Sequence, residues 1–248
     1  DRGGASIVVK VKHKKMGIDY ALKLPRPRRE QMLDTVKQEM QHLVKIRHEN
    51  IIAIHDLGEV PVSEYSYPYF VMDYIQDAIN LRRRLEQLID QAEHSSAVIG
   101  ITSWVAQKIY GVARALEFLH QQEIIHFDVK PGNIFIDCNL NDRPILADLG
   151  YAKTRTDSDD EVVVGFTLFY VHPDLEQHYL SGSSSNRITK PMSPKNFKYT
   201  WDIYALGKSL LELLALIDRA FPDVVGYDIT FSYLHLAACR MLDGLNLL

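Results

Sequence analysis

Residues 125 to 133 read Ile-His-Phe-Asp-Val-Lys-Pro-Gly-Asn, and they limit the fold more than any other stretch. A helical period runs up to this point, and an apolar triplet, Ile134-Phe135-Ile136, follows it. Four polar side chains, His126, Asp128, Lys130 and Asn133, are thus gathered where a helix hands over to a strand. Pro131 and Gly132 supply the bend, because proline fixes φ and glycine accepts backbone angles that other residues avoid. So polar a connection between apolar elements is either a solvated turn or a catalytic loop. A bulky apolar residue, Phe127, stands inside it and needs its own explanation.

The flanking pattern gives the organisation. Over 101 to 121, Ile101, Val105, Ile109, Val112, Leu116 and Leu119 recur on one helical face. Upstream, two strands are expected over 6 to 24, with a turn at Met16-Gly17 and stops at Pro25 and Pro27. A helix is expected over 29 to 46, then strands at 51 to 54 and 69 to 74. Downstream, the spacing predicts a helix over 78 to 91 and short strands at 133 to 136 and 145 to 147. Residues 181 to 198, rich in Ser, Asn, Lys and Pro, are expected to form an exposed loop. Helices are expected over 201 to 217 and 233 to 242. The fold class is α+β: a β-rich part with one main helix over 1 to 75, then a larger helical part over 76 to 248.

Composition removes several alternatives. The 248 residues, 46% of them hydrophobic and 24% charged, can bury one large core or two small ones and are not disordered by composition. A net charge of -4 argues against non-specific nucleic-acid binding. No apolar run approaches the roughly 18 residues of a membrane helix. Cys138 and Cys239 lie far apart, form no metal spacing and fit a reducing, cytoplasmic compartment. The chain opens on Asp-Arg-Gly-Gly with no leader visible, and its start is expected to be trimmed from something longer.

The polar residues suit phosphate chemistry. Asn133 and Asp148, the latter in Leu-Ala-Asp-Leu-Gly after a strand, offer hard oxygen donors suited to magnesium. Asp128 is placed to orient a hydroxyl and accept its proton, and Lys130 to put positive charge on a phosphoryl oxygen. Lys23 ends Tyr-Ala-Leu-Lys on a strand, and Glu39 sits on the following helix as a partner for its ammonium. Gly3 and Gly4 would let backbone amides approach phosphates.

On these residues the chain resembles the eukaryotic-type protein kinase family, serine/threonine class, along nearly its whole length. His126-Phe-Asp-Val-Lys-Pro-Gly-Asn133 is similar to the family's His-Arg-Asp-Leu-Lys-Pro-x-Asn loop, and Asp148-Leu-Gly150 to Asp-Phe-Gly. Tyr-Ala-Leu-Lys23 resembles Val-Ala-Ile-Lys, and Thr167-Leu-Phe-Tyr170-Val-His-Pro173-Asp174 resembles the end of the activation segment. Asp202-Ile-Tyr-Ala-Leu-Gly207 resembles the helix whose Asp braces the catalytic loop, although Asp202 can also be read as a helix N-cap.

The resemblance implies a bilobal fold and ATP with Mg2+ as cofactors. It implies Asp128, Lys130, Lys23 and Glu39 as catalytic groups and Asn133 and Asp148 as metal ligands. Nucleotide contacts would come from Gly3, Gly4, Ser6, Val8, Ala21, Lys23, Met72, Phe135 and backbone groups of Asp73 and Ile75. The partner implied is a protein with a Ser or Thr acceptor, with no nucleic acid, in a signalling chain whose kinase domain faces the cytosol and belongs to a longer multidomain protein. A pseudokinase acting as a nucleotide-binding or scaffold module is the alternative, and a small-molecule phosphotransferase a more distant one.

Three departures carry expectations. Phe127 replaces the loop arginine that would pair with a phosphorylated activation segment, so activity without such phosphorylation is expected. Leu149 replaces the phenylalanine of the metal triplet and keeps an apolar plug. Asp174 replaces the usual Glu, with Arg219 or Arg240 as its candidate partner, and the last helix of the usual large lobe is expected to be absent or truncated.

Overall fold

Ser6–Lys12 (β1) and Asp19–Pro25 (β2) pair antiparallel, from Ser6 opposite Pro25 to Lys12 opposite Asp19. Their reversal needs a left-handed residue, and Gly17 supplies it at φ 69°. β2 pairs next with Tyr65–Asp73 (β4), which pairs with Ile54–Val62 (β3), giving the sheet order β1-β2-β4-β3. The strand expected from Ile51 starts only at Ile54, and Ile51 and Ile52 are buried ahead of it.

The computed structural model describes residues 6–25, 43–62, 65–94, 96–180, 191–225 and 229–242. Most of the helix expected over 29 to 46 therefore lies outside the described residues, as do Gly3, Gly4 and Glu39. The chain divides into two compact units, Asp1–Asp77 and Ala78–Leu248.

The second unit is built on helices. Leu81–Asp90 (α1) starts later than the expected residue 78, because the Asn80 side chain accepts the Arg83 N–H at 3.0 Å as its N-cap. Ile79–Asn80 instead forms a short strand (β5) against Ile134–Asp137 (β7). Ala97–Gln121 (α2) buries the predicted face completely at Val105, Val112, Leu116 and Leu119. Thr200–Ala220 (α4, after Pro173–Leu180, α3) packs against α2, and its Leu206, Leu210 and Leu213 are fully buried. Each such leucine contributes about 1.5–3 kcal/mol of burial. Ile229–Leu242 (α5) packs on α4 and begins earlier than its apolar period predicts.

The stretch from 191 to 198 is not the expected exposed loop. Pro191–Met192 (β11) pairs with Val162–Val163 (β10), and Met192, Ser193, Pro194 and Phe197 are buried. Met192 and Phe197 join an apolar cluster around Phe127, which outweighs the polar composition around them. Cys138 and Cys239 are both free. Among the described residues no helix is long and apolar enough to cross a membrane.

Candidate functional site: a braced polar loop and its apolar base

The loop at 126 to 133 hangs from short elements on both sides. After α2, Ile124–Ile125 (β6) pairs with Lys153–Thr154 (β9). Phe127 then takes φ 65°, a left-handed conformation that a bulky residue rarely adopts. Such a backbone persists only where its surroundings fix it. Asp202, 1% exposed, does so from α4. Its Oδ2 accepts the His126 N–H at 2.8 Å, and its Oδ1 accepts the Phe127 N–H at 2.9 Å. His120 Nε2 lies 2.9 Å from the same Oδ2. Asp202 is inside a helix whose N-cap is Tyr199, so it is not a cap; it braces the loop backbone.

His126 holds the loop from within. It is fully buried, its Nδ1 accepts the Asp128 N–H at 3.2 Å, and its Nε2 lies 3.1 Å from the Ala147 carbonyl oxygen. With Nδ1 accepting, the ring proton belongs on Nε2, where it is donated to Ala147. Both nitrogens are engaged, which fits a structural histidine.

Asp128 is 3% exposed and is the centre of the polar group. Its Oδ2 accepts from Lys130 Nζ and from Asn133 Nδ2, each at 2.8 Å. Its Oδ1 accepts the Thr167 hydroxyl at 2.6 Å, and Lys130 Nζ donates to that hydroxyl oxygen at 2.7 Å. The sequence left Thr167 without a chemical role. Only its place in the Thr-x-x-Tyr run marked it.

The gap between Asn133 and Asp148 closes through a hairpin. β7 pairs with Arg143–Leu146 (β8), Ile134 stands opposite Leu146, and the Ala147 N–H donates to the Asn133 carbonyl at 2.8 Å. Asn133 and Asp148 therefore emerge at the same end of the hairpin. The Asn133 amide nitrogen also donates to the Asp128 backbone carbonyl at 2.8 Å, so both its bonds turn the side-chain oxygen away from Asp128. Asp148 is half-buried in a left-handed conformation, φ 62° and ψ 57°. One amide oxygen and one carboxylate fit a magnesium ion that keeps water and phosphate oxygens as its other ligands.

In the first unit, register gathers most of the remaining residues. Val8 stands opposite Lys23, Lys23 opposite Phe70, and Ala21 opposite Met72. Side chains alternate along a strand, so these share one face. Lys23 is 7% exposed, with Nζ 5.6 Å from the Phe70 ring centroid. Asp73 points to the opposite face, where its carboxylate lies 2.6 Å from His55 Nε2, and its backbone N–H donates to the Ala53 carbonyl. Ile75 follows β4 in the same unit, whereas Phe135 lies half-buried on β7 in the second.

Phe127 is packed rather than idle. It lies 6% exposed among Ile125, Val164, Val171, Leu175, Phe197 and Trp201. Its ring meets Phe197 edge-on at 5.0 Å and Trp201 at 5.8 Å. The segment after β9 is held by other contacts: Ser193 Oγ donates to the Ser158 carbonyl at 2.7 Å, Lys195 pairs with Asp159, and the Arg155 N–H donates to the Glu123 carbonyl at 2.6 Å. Asp174 pairs with Lys198 at 2.8 Å instead of with Arg219 or Arg240, because the burial of Met192, Ser193 and Phe197 delivers Lys198 beside α3. That ammonium holds the Asp174 carboxyl below its ordinary range.

Comparison with known proteins agrees with this arrangement. The protein kinase domain family matches residues 2–222. The chain belongs to that family. Its α+β architecture, a β-rich first unit and a helical second, is that of the protein kinase fold. Among curated relatives, a probable serine/threonine-protein kinase of Streptomyces coelicolor is 29% identical over 87% of this chain and 29% of its own length. The serine/threonine-protein kinase PknB of Mycolicibacterium smegmatis is 29% identical over 72% of this chain and 25% of its own length. The serine/threonine-protein kinase Nek4 of Mus musculus is 27% identical over 87% of this chain and 24% of its own length. The chain thus spans between a quarter and a third of the length of such kinases, or slightly less.

Proposed function

We propose that this domain transfers the γ-phosphoryl group of ATP to serine and threonine hydroxyls of protein substrates. The observation that carries the proposal is the buried Asp128 carboxylate, which already accepts a threonine-type hydroxyl at 2.6 Å while Lys130 Nζ lies against the same oxygen. A substrate hydroxyl in that environment is oriented by Asp128 and gives it its proton as the new P–O bond forms. The bond from the γ-phosphorus to the bridging oxygen breaks, and ADP leaves. Lys130 offsets charge on the transferred group. Asn133 and Asp148 would hold magnesium, which when bound offsets the phosphate charges. In the first unit, Lys23, paired with Glu39, would bind phosphates, and the face of Val8 and Ala21 would cover adenine. The serine/threonine preference follows Lys130 and the kinases named above. Incubation with magnesium, ATP labelled in the γ-phosphate and paired serine, threonine and tyrosine peptides tests this. Label is expected on the serine and threonine peptides. Nucleotide binding with no transfer would establish the pseudokinase alternative.

The segment after β9 needs no phosphate to hold its place. An apolar cluster occupies the position where an arginine would otherwise receive one. The Thr156 and Ser158 hydroxyls make local contacts: the Ser158 N–H donates to Thr156 Oγ1 at 3.4 Å and Ser158 Oγ to Asp160 at 3.1 Å. Asp157, Asp159 and Asp160 would repel an added phosphate. Replacing Thr154, Thr156 and Ser158 together by alanine is expected to change turnover by less than about twofold, since Thr156 is exposed, Thr154 and Ser158 are half-buried rather than core, and surface substitutions cost within about 0.5 kcal/mol. A loss of tenfold or more would reject phosphate independence.

A further inference from the structure

A cavity of about 280 Å³ opens beside the catalytic loop, within the second unit. Its lining includes Lys130 and Gly132 of the loop together with Arg82, Arg83, Tyr170 and two carboxylates, Glu86 and Glu212. Tyr170 follows Thr167 by one 3₁₀ turn. An acceptor chain whose hydroxyl reaches Asp128 therefore passes this opening, and one of its side chains can enter.

Glu212 would make that opening selective for cations if it stood alone. It is 15% exposed, and a carboxylate so enclosed strongly favours a cationic partner. Its two oxygens are already engaged. Arg82 Nη1 donates to Oε1 at 2.8 Å, and the Tyr170 hydroxyl donates to Oε2. Burial, with that bond to Glu212, pushes the Tyr170 phenol well above its ordinary value, so it stays a donor. Arg82 is fixed at its other end as well, since Nε donates to Glu86 at 3.0 Å. An incoming lysine or arginine must displace a guanidinium held by two carboxylates, with Arg83 on the same wall.

With the phosphotransfer chemistry above as premise, we propose that Arg82 is a specificity-determining residue. It occupies the Glu212 carboxylate from within the chain and prevents this subsite from selecting basic acceptor peptides. Removal of Arg82 exposes Glu212 as a site for a substrate cation. A hydrogen bond to a charged group at a partly enclosed position corresponds to about a tenfold gain or more.

The test walks a single arginine through each position around the acceptor serine of an otherwise alanine-rich peptide. Transfer and peptide binding are both measured, on the wild type, Arg82→Ala, Arg82→Gln and the double variant Arg82→Ala with Glu212→Gln. In the wild type, no position is expected to gain more than about twofold from arginine. In both single variants one position is expected to gain roughly tenfold, and the double variant to lose that gain. A wild type that already favours arginine by tenfold, or single variants that phosphorylate peptides with no new preference, would overturn the proposal. Failure of transfer in every protein, with the gain still present in binding, would reject the kinase activity and leave the role of Arg82 standing. Absence of both would reject both. Circular dichroism melts identify a misfolded variant, and two different side chains at position 82 guard against one failing to fold.

Discussion

Asp128→Asn is expected to lower phosphoryl transfer by about 10²- to 10⁴-fold, the usual contribution of a positioned general base. The expected effect is this large because the substitution removes the proton acceptor without opening a cavity or releasing the loop backbone. Asparagine has nearly the same volume, and the site at Asp128 is 3% exposed, so no cavity opens. The loop keeps its brace, since Asp202 bonds the backbone of His126 and Phe127 rather than the Asp128 side chain. Asn133 keeps its bond to the Asp128 backbone carbonyl. The substituted amide retains one oxygen for Thr167 or Lys130 but presents N–H groups at its other atom, where an oxygen now accepts from Lys130 and Asn133. Nucleotide affinity is expected to change little, because Lys23 and its neighbours belong to the first unit. Steady-state transfer, together with titration of an ATP analogue against both proteins, checks the two halves of this expectation. Transfer that survives within tenfold would remove Asp128 from its role.

Much of this site was legible in the sequence because its parts are local. The helix face before the loop, the Pro-Gly bend and the two short strands fix the loop and the hairpin without long-range information. Val8, Ala21 and Lys23 were likewise placed by two strands whose pairing follows from one turn. What escaped were partners brought from far along the chain. Glu212 is 42 residues from Tyr170 and 130 from Arg82, and no period links them. The segment from 191 to 198 looked like solvent-exposed chain because its polar residues outnumber Met192 and Phe197. Those two decide its course by joining an aromatic cluster that the sequence does not reveal. Asp174 meets Lys198 at 2.8 Å rather than either candidate arginine, Arg219 or Arg240, for the same reason: the burial of Met192 and Phe197 sets where Lys198 lies. Asp202 could be read two ways, as cap or brace, and only the fold separates them.

Restoring an arginine at position 127 is expected to destabilise the domain, and the size of the loss distinguishes a vacant arginine site from a built apolar one. Phe127 is 6% exposed and wedged between Phe197 and Trp201, so Phe127→Arg puts a guanidinium where aromatic rings now meet. Loss of the buried ring alone costs about 3–5 kcal/mol, and an unpaired buried charge adds to it unless the side chain escapes to water. In a domain of this size about 2–4 °C of melting temperature accompanies each kcal/mol, so a fall on the order of 10 °C is expected. Phe127→Leu keeps the apolar contact in part and should cost much less, so the pair separates charge from shape. The coupling to catalysis is direct. The Phe127 N–H is one of the bonds by which Asp202 fixes the backbone next to Asp128, so a displaced side chain at 127 also loosens the base. Activity measured well below the melting transition should therefore fall in Phe127→Arg more than in Phe127→Leu. A Phe127→Arg protein that melts with the wild type, and becomes active only when its activation segment is phosphorylated, would show the opposite. The arginine would then be at home there, and phenylalanine would have been filling space rather than holding the segment in place.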